Sequence, residues 1–205
     1  MKVAIVGGTG DFGLALAARL VEAGDEVVIG SRDAGRAQEK ATEIGAAGGA
    51  TNEDAVGGVE LAVLATVADA APGTAQALRN SFSSPVLSVA SELEFHDRRA
   101  QPPAEARSLA ERIADVVDVP VVAGLHSLAA GKLAQSRLDE DVFVCGDDPD
   151  AKELALELAA KLVAGRALDA GPLASARALE GLTAVIVNLN RRYKGHAGIR
   201  VSGLP

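Results

Sequence analysis

Short apolar runs alternate along the chain with longer segments in which apolar residues recur every three or four positions. The first apolar run covers residues 3–6, and the segment after it, residues 11–23, has helical spacing. The alternation predicts strands near residues 3–6, 26–29, 61–65, 86–89, 119–123, 142–145 and 167–170. Parallel strands joined by crossover helices produce this pattern, so we expect an α/β protein.

The segments between the apolar runs predict helices, and some of these carry clear start signals. Asp33 is placed to cap a polar helix that reaches about residue 44, and Asn52 to cap a short one. Asp148 precedes Pro149, which suits the first position of a helix. Further helices are predicted near residues 73–80, 104–116, 128–135 and 173–190.

Three segments depart from the alternation. Residues 45–50 read GAAGGA, a composition that predicts a loop. Residues 91–103 are polar and contain two consecutive prolines, so we interpret them as a surface excursion. The helix at 173–190 has too many apolar residues for one buried stripe, and we expect it to be buried on several sides, partly by a second copy of the chain.

Composition narrows the class of protein. A chain of 205 residues with 48% hydrophobic residues can bury a core as one domain, or as one domain with a small appendage. A net charge of −8 and only five aromatic residues argue against nucleic-acid binding. The single Cys145 excludes an internal disulfide and a cysteine-based metal cluster, so we expect no metal site and a cytoplasmic location. Apolar segments of membrane-spanning length are missing, so no membrane partner is expected.

The first predicted strand ends in a glycine-rich turn. Gly8, Gly10 and Gly13 form G-x-G-x-x-G between that strand and the helix that follows. In this context the motif predicts a dinucleotide site of the Rossmann type, with the pyrophosphate at the helix N-terminus and the first glycine making the tight turn. Thr9 is placed to add a hydroxyl donor. The alternative interpretation is a glycine-rich strand-helix turn that binds no ligand.

The end of the second strand indicates which dinucleotide is bound. Asp33 competes by spacing for the ribose hydroxyls of NAD, but it lies beyond the strand, where capping a helix is the better assignment. Ser31, Arg32 and Arg36 suit the additional 2′-phosphate of NADP, because a guanidinium binds a dianion with two hydrogen bonds. Alternatively, both arginines are solvated surface charges.

His126 is the candidate catalytic residue. It follows the apolar segment VPVVAG, at the carboxyl end of a predicted strand, which is where open α/β sheets bind ligands. The alternative is a structural histidine bonded to a loop carbonyl. No arrangement typical of a Ser-His-Asp triad surrounds it.

Several segments of the chain together resemble a known family, the NADPH-dependent coenzyme F420 reductases. The resemblance covers nearly the whole chain and rests on VAIVGGTGDFGLALAARL, GSR, VVAGLHSLAAGKL, VFVCGDDPDAKELALEL and, above all, LDAGPLASARALEGLTAVIVNLNRRYKGHAGIRVSGL. It implies a doubly wound, mostly parallel sheet with a small C-terminal helical segment. It also implies direct hydride transfer between NADP(H), lying along the glycine turn, and the deazaflavin F420, packed under the C-terminal segment.

The same resemblance assigns roles to individual positions. The phosphate-binding turn corresponds to Thr9, Gly10, Asp11 and Phe12, which lie between the motif glycines Gly8 and Gly13, and the 2′-phosphate site to Ser31, Arg32 and Arg36. The surroundings of the nicotinamide and the deazaflavin correspond to Thr66, Ser91, His126, Ala130 and Ala197. The implied division is an NADP-binding domain at residues 1–165 and a segment at 166–205 that covers the second substrate and contacts the other copy of a homodimer.

The sequence also departs from the family. TVADAAP, residues 66–72, replaces a stretch that often carries a proline and an aromatic residue beside the nicotinamide, and Ala129 replaces a common proline. Residues 91–103 offer only Arg98 and Arg99 to an anionic deazaflavin tail. These differences keep three alternatives open: an NADPH-dependent reductase of a flavin or imine, a non-catalytic NADP-binding sensor, and a scaffold whose last helix is an interaction surface.

Overall fold

The structure is a computed structural model that describes residues 1–204. Its strands are β1 (Lys2–Val6), β2 (Glu26–Ser31), β3 (Gly48–Thr51), β4 (Leu61–Leu64), β5 (Val86–Ser88), β6 (Glu94–His96), β7 (Arg99–Gln101), β8 (Val121–Gly124), β9 (Val142–Gly146) and β10 (Ala167–Asp169). Its α-helices are α1 (Asp11–Glu22), α2 (Ala34–Ile44), α3 (Asn52–Ala55), α4 (Ala71–Leu78), α5 (Leu109–Ala114), α6 (Ala130–Leu133), α7 (Pro149–Leu162) and α8 (Ala176–Tyr193). Short 3₁₀ turns, Ala68–Ala70 and Leu173–Ser175, precede α4 and α8.

One sheet organises the molecule, with the strand order β10-β9-β8-β5-β4-β1-β2-β3. Its strands pair in parallel except at β8–β9, where the direction reverses. The chain winds outward from β1 in both directions, first to β3 and then through β4 and β5 to β8. Ligands of doubly wound sheets bind where this order switches, at the carboxyl ends of β1 and β4. The predicted α/β fold of Rossmann type is confirmed.

Apolar side chains fill both faces of the sheet. One core lies under α1, α2, α6 and α7, and the other under α3, α4, α5 and α8. Helix α1 packs closely because much of its buried face is small, with Gly13, Ala15 and Ala17 beside Leu16 and Leu20. This close packing brings the start of α1 against the end of β1.

Strand β3 corrects the predicted loop at residues 45–50. It is an edge strand paired with β2, and one of its glycines, Gly49, is required by packing rather than by a turn. A Cβ atom on Gly49 would lie only 2.2 Å from the backbone carbon of Ala37 on α2. Gly49 therefore allows close contact between α2 and β3.

The excursion at residues 91–103 contains the hairpin β6–β7, which the sequence did not predict. Asp97 and Arg98 form its turn with left-handed backbone angles, φ 47° and 64°. The hairpin is fixed to α8 because the Asn188 side chain accepts a hydrogen bond from the Ala100 N–H (2.9 Å) and donates one to its carbonyl (2.7 Å). The surface excursion is thus an ordered cover on the last helix.

Helix α8 is only partly covered by its own chain. Its buried side includes Leu179 and Glu180, and the Glu180 carboxylate accepts hydrogen bonds from the first N–H groups of α5. On the other side, Val185 is 51% and Leu189 is 40% exposed. Within residues 1–204, no helix is both long and apolar enough to cross a bilayer. The proposed division after residue 165 stays a prediction, and β10, which follows it, belongs to the main sheet.

Candidate functional site

The glycine turn after β1 is shaped by steric contacts. Gly7 has left-handed backbone angles, with φ +76°, so the tight turn falls at Gly7. The sequence had predicted it at Gly8. Gly8 instead allows close approach to β1: its N–H donates to the Ile5 and Gly30 carbonyls at 3.1 and 3.0 Å. A Cβ atom at Gly8 would lie 2.8 Å from the Ile5 oxygen. Glycine is required at both positions for different reasons.

The start of α1 fits an anionic group. Gly10 is the N-cap residue and supplies no side-chain acceptor, so the N–H groups of the first turn are left for another partner. At Gly13, a Cβ atom would lie 2.9 Å from both the Gly7 oxygen and the Gly8 Cα. At Gly10, it would meet nothing closer than the Gly7 oxygen at 3.5 Å. The space above Gly10 therefore suits a phosphate. Asp11 and Phe12 complete the first turn, with Asp11 exposed and Phe12 partly buried.

Asn52, the first residue of α3, supports the turn, a role that sequence reasoning missed. Its side-chain oxygen accepts a hydrogen bond from the Gly7 N–H at 3.3 Å. The cap of the short helix α3 is Thr51 rather than Asn52, because the Thr51 hydroxyl accepts from the Asp54 N–H at 3.1 Å. The predicted cap was therefore wrong by one residue, and Asn52 is free to hold the glycine turn.

The end of β2 presents two arginines to the same cleft. The Asp33 carboxylate accepts from the Arg36 N–H at 3.1 Å, which confirms Asp33 as the cap of α2. Ser31 is nearly buried, and its hydroxyl accepts from the Asp33 N–H at 3.2 Å. Arg32 and Arg36 are exposed, and neither guanidinium forms an ion pair within residues 1–204. Both positive charges are available to an anionic ligand.

A cleft of about 550 Å³ joins the glycine turn to these arginines. The predicted residues that line it are Thr9, Gly10, Ser31, Arg32, Arg36 and Thr66. The Thr66 hydroxyl is buried without a hydrogen-bond partner in the described chain, and Val67 beside it is 75% exposed. The small wall that the sequence predicted at TVADAAP is therefore an open side of this cleft.

His126 lies at the same edge of the sheet, just after β8, but outside this cleft. It is 7% exposed and lies in a small pocket with Phe143, Leu179 and Leu182. Burial lowers its pKa to about 4, and the nearby backbone of Ala90 opposes this shift only in part. Neither ring nitrogen has a partner with hydrogen-bond geometry in residues 1–204. The imidazole is therefore neutral at pH 7 and keeps one N–H donor and one acceptor.

Thr183 on α8 joins the loops that follow β5 and β8. Its hydroxyl donates to the His126 carbonyl at 2.8 Å and lies 2.7 Å from the Ser91 hydroxyl. Because the Thr183 proton is used, Ser91 is the donor in that pair. Thr183 was missed in the sequence, where the only signal was a polar residue inside the apolar run LEGLTAVIV.

The remaining two predicted site residues, Ala130 and Ala197, lie on different elements, α6 and the segment after α8. Ala130 begins α6 and, with Leu14 and Ile44, lines a groove of about 480 Å³ between α1 and α6. The Ala197 N–H donates to the Asn190 side chain at 2.5 Å, which folds the tail back onto α8. Neither residue lines the cleft of the glycine turn.

The sheet order, the glycine turn and the unpaired arginines define a Rossmann-fold dinucleotide-binding protein. The family described as NADP oxidoreductase, coenzyme F420-dependent, matches residues 2–92. The F420-dependent NADP reductase of Methanothermobacter thermautotrophicus is 36% identical over 100% of this chain and 96% of its own length. That of Methanothermobacter marburgensis is 35% identical over the full length of both chains. The chain belongs to the F420-dependent NADP reductase family.

A solved structure agrees with this assignment. The crystal structure of a putative F420-dependent NADP reductase from Arthrobacter sp. FB24 superimposes with a TM-score of 0.85 at 26% identity, covering 99% of this chain and 100% of the other. The correspondence includes the C-terminal third, where the sequence resemblance was most specific.

Proposed function

We propose that this protein transfers a hydride directly between NADP(H) and the deazaflavin coenzyme F420. The observation that carries the proposal is the cleft in which an open helix N-terminus and two unpaired guanidiniums lie together, in a chain that matches F420-dependent NADP reductases over its full length. In the forward direction NADPH gives one hydride to oxidised F420, which also takes up one proton from solvent.

The NADP half of the site follows from the cleft. The N–H groups at the start of α1 would hold the pyrophosphate, where the helix dipole also favours negative charge. Ser31, Arg32 and Arg36 would bind the 2′-phosphate. Thr66, with its unpaired hydroxyl, is a candidate to contact the nicotinamide half. The local positive charge of this cleft outweighs the net negative charge of the chain at contact distance.

The second half of the site is assigned to the loops after β5 and β8. His126 is neutral, so it would act on a carbonyl of the nicotinamide or the deazaflavin by donating a hydrogen bond and not by supplying positive charge. Because both ring nitrogens are buried, this contact would require the pocket around His126 to open when the substrate binds. Ser91 and Thr183 hold the backbone of His126 in place. Ala130 and Ala197 are small enough to let two stacked rings approach, and hydride transfer requires close approach and exclusion of water.

The oligomeric part of the proposal is a homodimer in the cytoplasm that uses the open face of α8. Val185 and Leu189, one helical turn apart, are exposed apolar residues on that face. Burying them against a second copy would remove them from water. Light scattering after size exclusion is expected to give about twice the mass of 20.7 kDa. A monomer at working concentration would exclude the dimer.

The decisive experiment mixes the protein with NADPH and oxidised F420 and follows the visible absorbance of the deazaflavin. We expect bleaching that depends on enzyme, with NADH a poor substitute for NADPH. The double variant Arg32→Ala and Arg36→Ala, in which both replaced side chains are exposed, should need far more NADPH for the same rate. No bleaching above the level without enzyme would overturn the hydride-transfer assignment.

The exposed Val67 favours a second candidate, NADPH-dependent reduction of another acceptor such as a flavin or an imine. A wall without a bulky side chain beside the cleft restricts the acceptor less. A competition assay with F420, free flavin and a cyclic imine separates the two functions. A higher kcat/KM for flavin or imine than for F420 would favour this second candidate.

A further inference from the structure

The C-terminal tail is held in place by buried charges although it has no regular structure. Residues 195–204 follow α8 without forming a helix or strand. Chain termini of this kind are usually poorly ordered unless something ties them down. Here the Ile199 carbonyl accepts from the Asp141 N–H at 2.7 Å, and the Val201 N–H donates to the Asp141 carboxylate at 2.9 Å. The tail is thus bonded to both the backbone and the side chain of Asp141.

Arg166, the residue before β10, closes this arrangement. Its guanidinium donates to the Asp141 carboxylate at 2.8 Å and also to the Val201 carbonyl. The Asp141 side chain is only 2% exposed, whereas that of Arg166 is 38% exposed. Arg166 and two N–H donors hold the pKa of Asp141 well below its usual range. We call Glu140, Asp141 and Arg166 the tail clamp.

Glu140 adds a second contact that depends on glycine. Its carboxylate accepts from the Ile199 N–H at 3.3 Å. A Cβ atom on Gly198 would lie 2.6 Å from a Glu140 carboxylate oxygen, and one on Gly165 would lie 2.2 Å from the Glu140 carbonyl. The backbone therefore passes the clamp at a distance that only glycine allows at these two positions.

The clamp lies at the ligand edge of the sheet because β9 runs antiparallel to β8. Val144 pairs with Gly124 at the end of β8, so Asp141, three residues earlier, lies beyond that end, on the side where His126 follows. The strand order places it four strands from β1, or roughly 19 Å from the glycine turn at ~4.8 Å per strand. It is thus near the loop of His126 and far from the arginines that face the cleft.

We propose that the tail clamp fixes residues 197–201 as a wall of the deazaflavin site, which makes Asp141 and Arg166 positioning residues for the second substrate. This inference rests on the proposed function, because it assigns the second substrate to the His126 side of the site. It accounts for a segment without regular structure that is bonded to a carboxylate only 2% exposed, whose guanidinium partner is 38% exposed. Burying a charged carboxylate is costly, so such a contact specifies geometry more than it adds stability.

The test compares Asp141→Ala with a chain that ends at Gly195. Both remove the clamped tail, so each should raise the Kd for F420 by about tenfold, a loss typical of misplaced binding groups, and leave the Kd for NADPH unchanged. Combining the two changes should add nothing further, because one removes what the other holds. F420 fluorescence gives its Kd without turnover, and hydrogen exchange should show faster exchange at the amides of Ile199 and Val201 in Asp141→Ala.

Asp25→Asn is the matched control, because Asp25 is a buried carboxylate paired with Lys161 and the N-terminus at the opposite edge of the sheet. It should alter neither the F420 Kd nor exchange in the tail. If Asp141→Ala does not fold, Arg166→Ala, which removes the more exposed member of the ion pair, replaces it in the binding test. Wild-type protein that binds F420 with the same Kd as the truncated chain, or with the same Kd as folded Asp141→Ala, would overturn the clamp proposal alone. Wild-type protein that binds no F420 would overturn both proposals.

Discussion

The side-chain oxygen of Asn52 lies 3.3 Å from the backbone nitrogen of Gly7, although the two residues are 45 positions apart. Gly7 is the residue with left-handed angles in the turn, and its N–H has no place in the ladder of β1. Asn52 therefore satisfies the one donor that the tight turn removes from the sheet. This bond links the turn that would hold the pyrophosphate to the segment that follows β3.

Replacing Asn52 with alanine should loosen this turn. The loss of one hydrogen bond of about 1 kcal/mol predicts a rise of roughly fivefold to tenfold in the Kd for NADPH. Fluorescence titration with NADPH measures it directly. Asn80→Ala is the control, since Asn80 is exposed after α4 and should bind NADPH as the wild type does. Equal affinities in both variants would show that the bond does not support binding.

Removing the two guanidiniums should change the choice between NADPH and NADH. Arg32→Ala and Arg36→Ala each remove a charged donor, which predicts roughly tenfold or greater loss of NADPH affinity per residue. NADH affinity should hardly change, because NADH has no 2′-phosphate. Lys40→Ala is the control on α2, where Lys40 pairs with Glu43 away from the cleft. Parallel losses for NADPH and NADH would contradict the assignment.

The buried imidazole of His126 predicts how stability depends on pH. Its pKa is about 4 in the folded chain and 6.5 in the reference state, so between these values only the unfolded chain takes up the proton. The free energy of unfolding therefore holds its full value above pH 6.5 and falls as the pH drops toward 4, by up to about 3 kcal/mol from this group.

Urea unfolding of the wild type and His126→Gln between pH 4.5 and 7.5 isolates this contribution. The glutamine variant lacks the titrating group, so the stability of the wild type relative to the variant should decrease steadily as the pH falls. The carboxylates common to both chains cancel in the comparison. A difference that is independent of pH would mean that His126 does not stay neutral in the folded protein.

Two adjacent glycines test the packing of the sheet edge. Gly49→Ala forces a Cβ atom to 2.2 Å from the Ala37 backbone, which should destabilise the protein by about 2 kcal/mol or more. Gly48→Ala meets nothing within 4 Å and should be within about 0.5 kcal/mol of the wild type. Thermal unfolding compares the two. Similar melting temperatures for both variants would show that α2 moves away from β3 at little cost.

The sequence predicted features that depend on local pattern. Buried strands appear as apolar runs, and the caps Asp33 and Asp148 lie directly before the helices they start. Features that depend on distant partners were missed. In the sequence, Gly49 has the appearance of a loop residue. Glycine is needed there because the backbone of Ala37, on another element, lies too close for a Cβ atom.

The candidate site also combines features that local sequence predicts with features that depend on distant partners. The glycine turn and the arginines are close in sequence to the strands that place them, so their meeting in one cleft could be predicted. Thr183 lies 57 residues from the His126 carbonyl that it binds, and no spacing rule connects them. The burial that lowers the pKa of His126 also comes from α8, so its neutral state required the folded structure.

The antiparallel direction of β9 decides which loops of the protein can accept insertions without changing the ligand edge of the sheet. In a fully parallel sheet, only the connections that follow strands reach the ligand edge. Here the connection between β8 and β9, residues 125–141, both begins and ends at that edge, so residues 134–141 just before β9 lie there too, and residues 147–148 after β9 lie at the opposite edge. Insertions in the first connection would reshape the site, whereas insertions in the second would leave it alone. Under the proposed assignment, a single sheet would provide walls for two substrates without the length of a separate second domain.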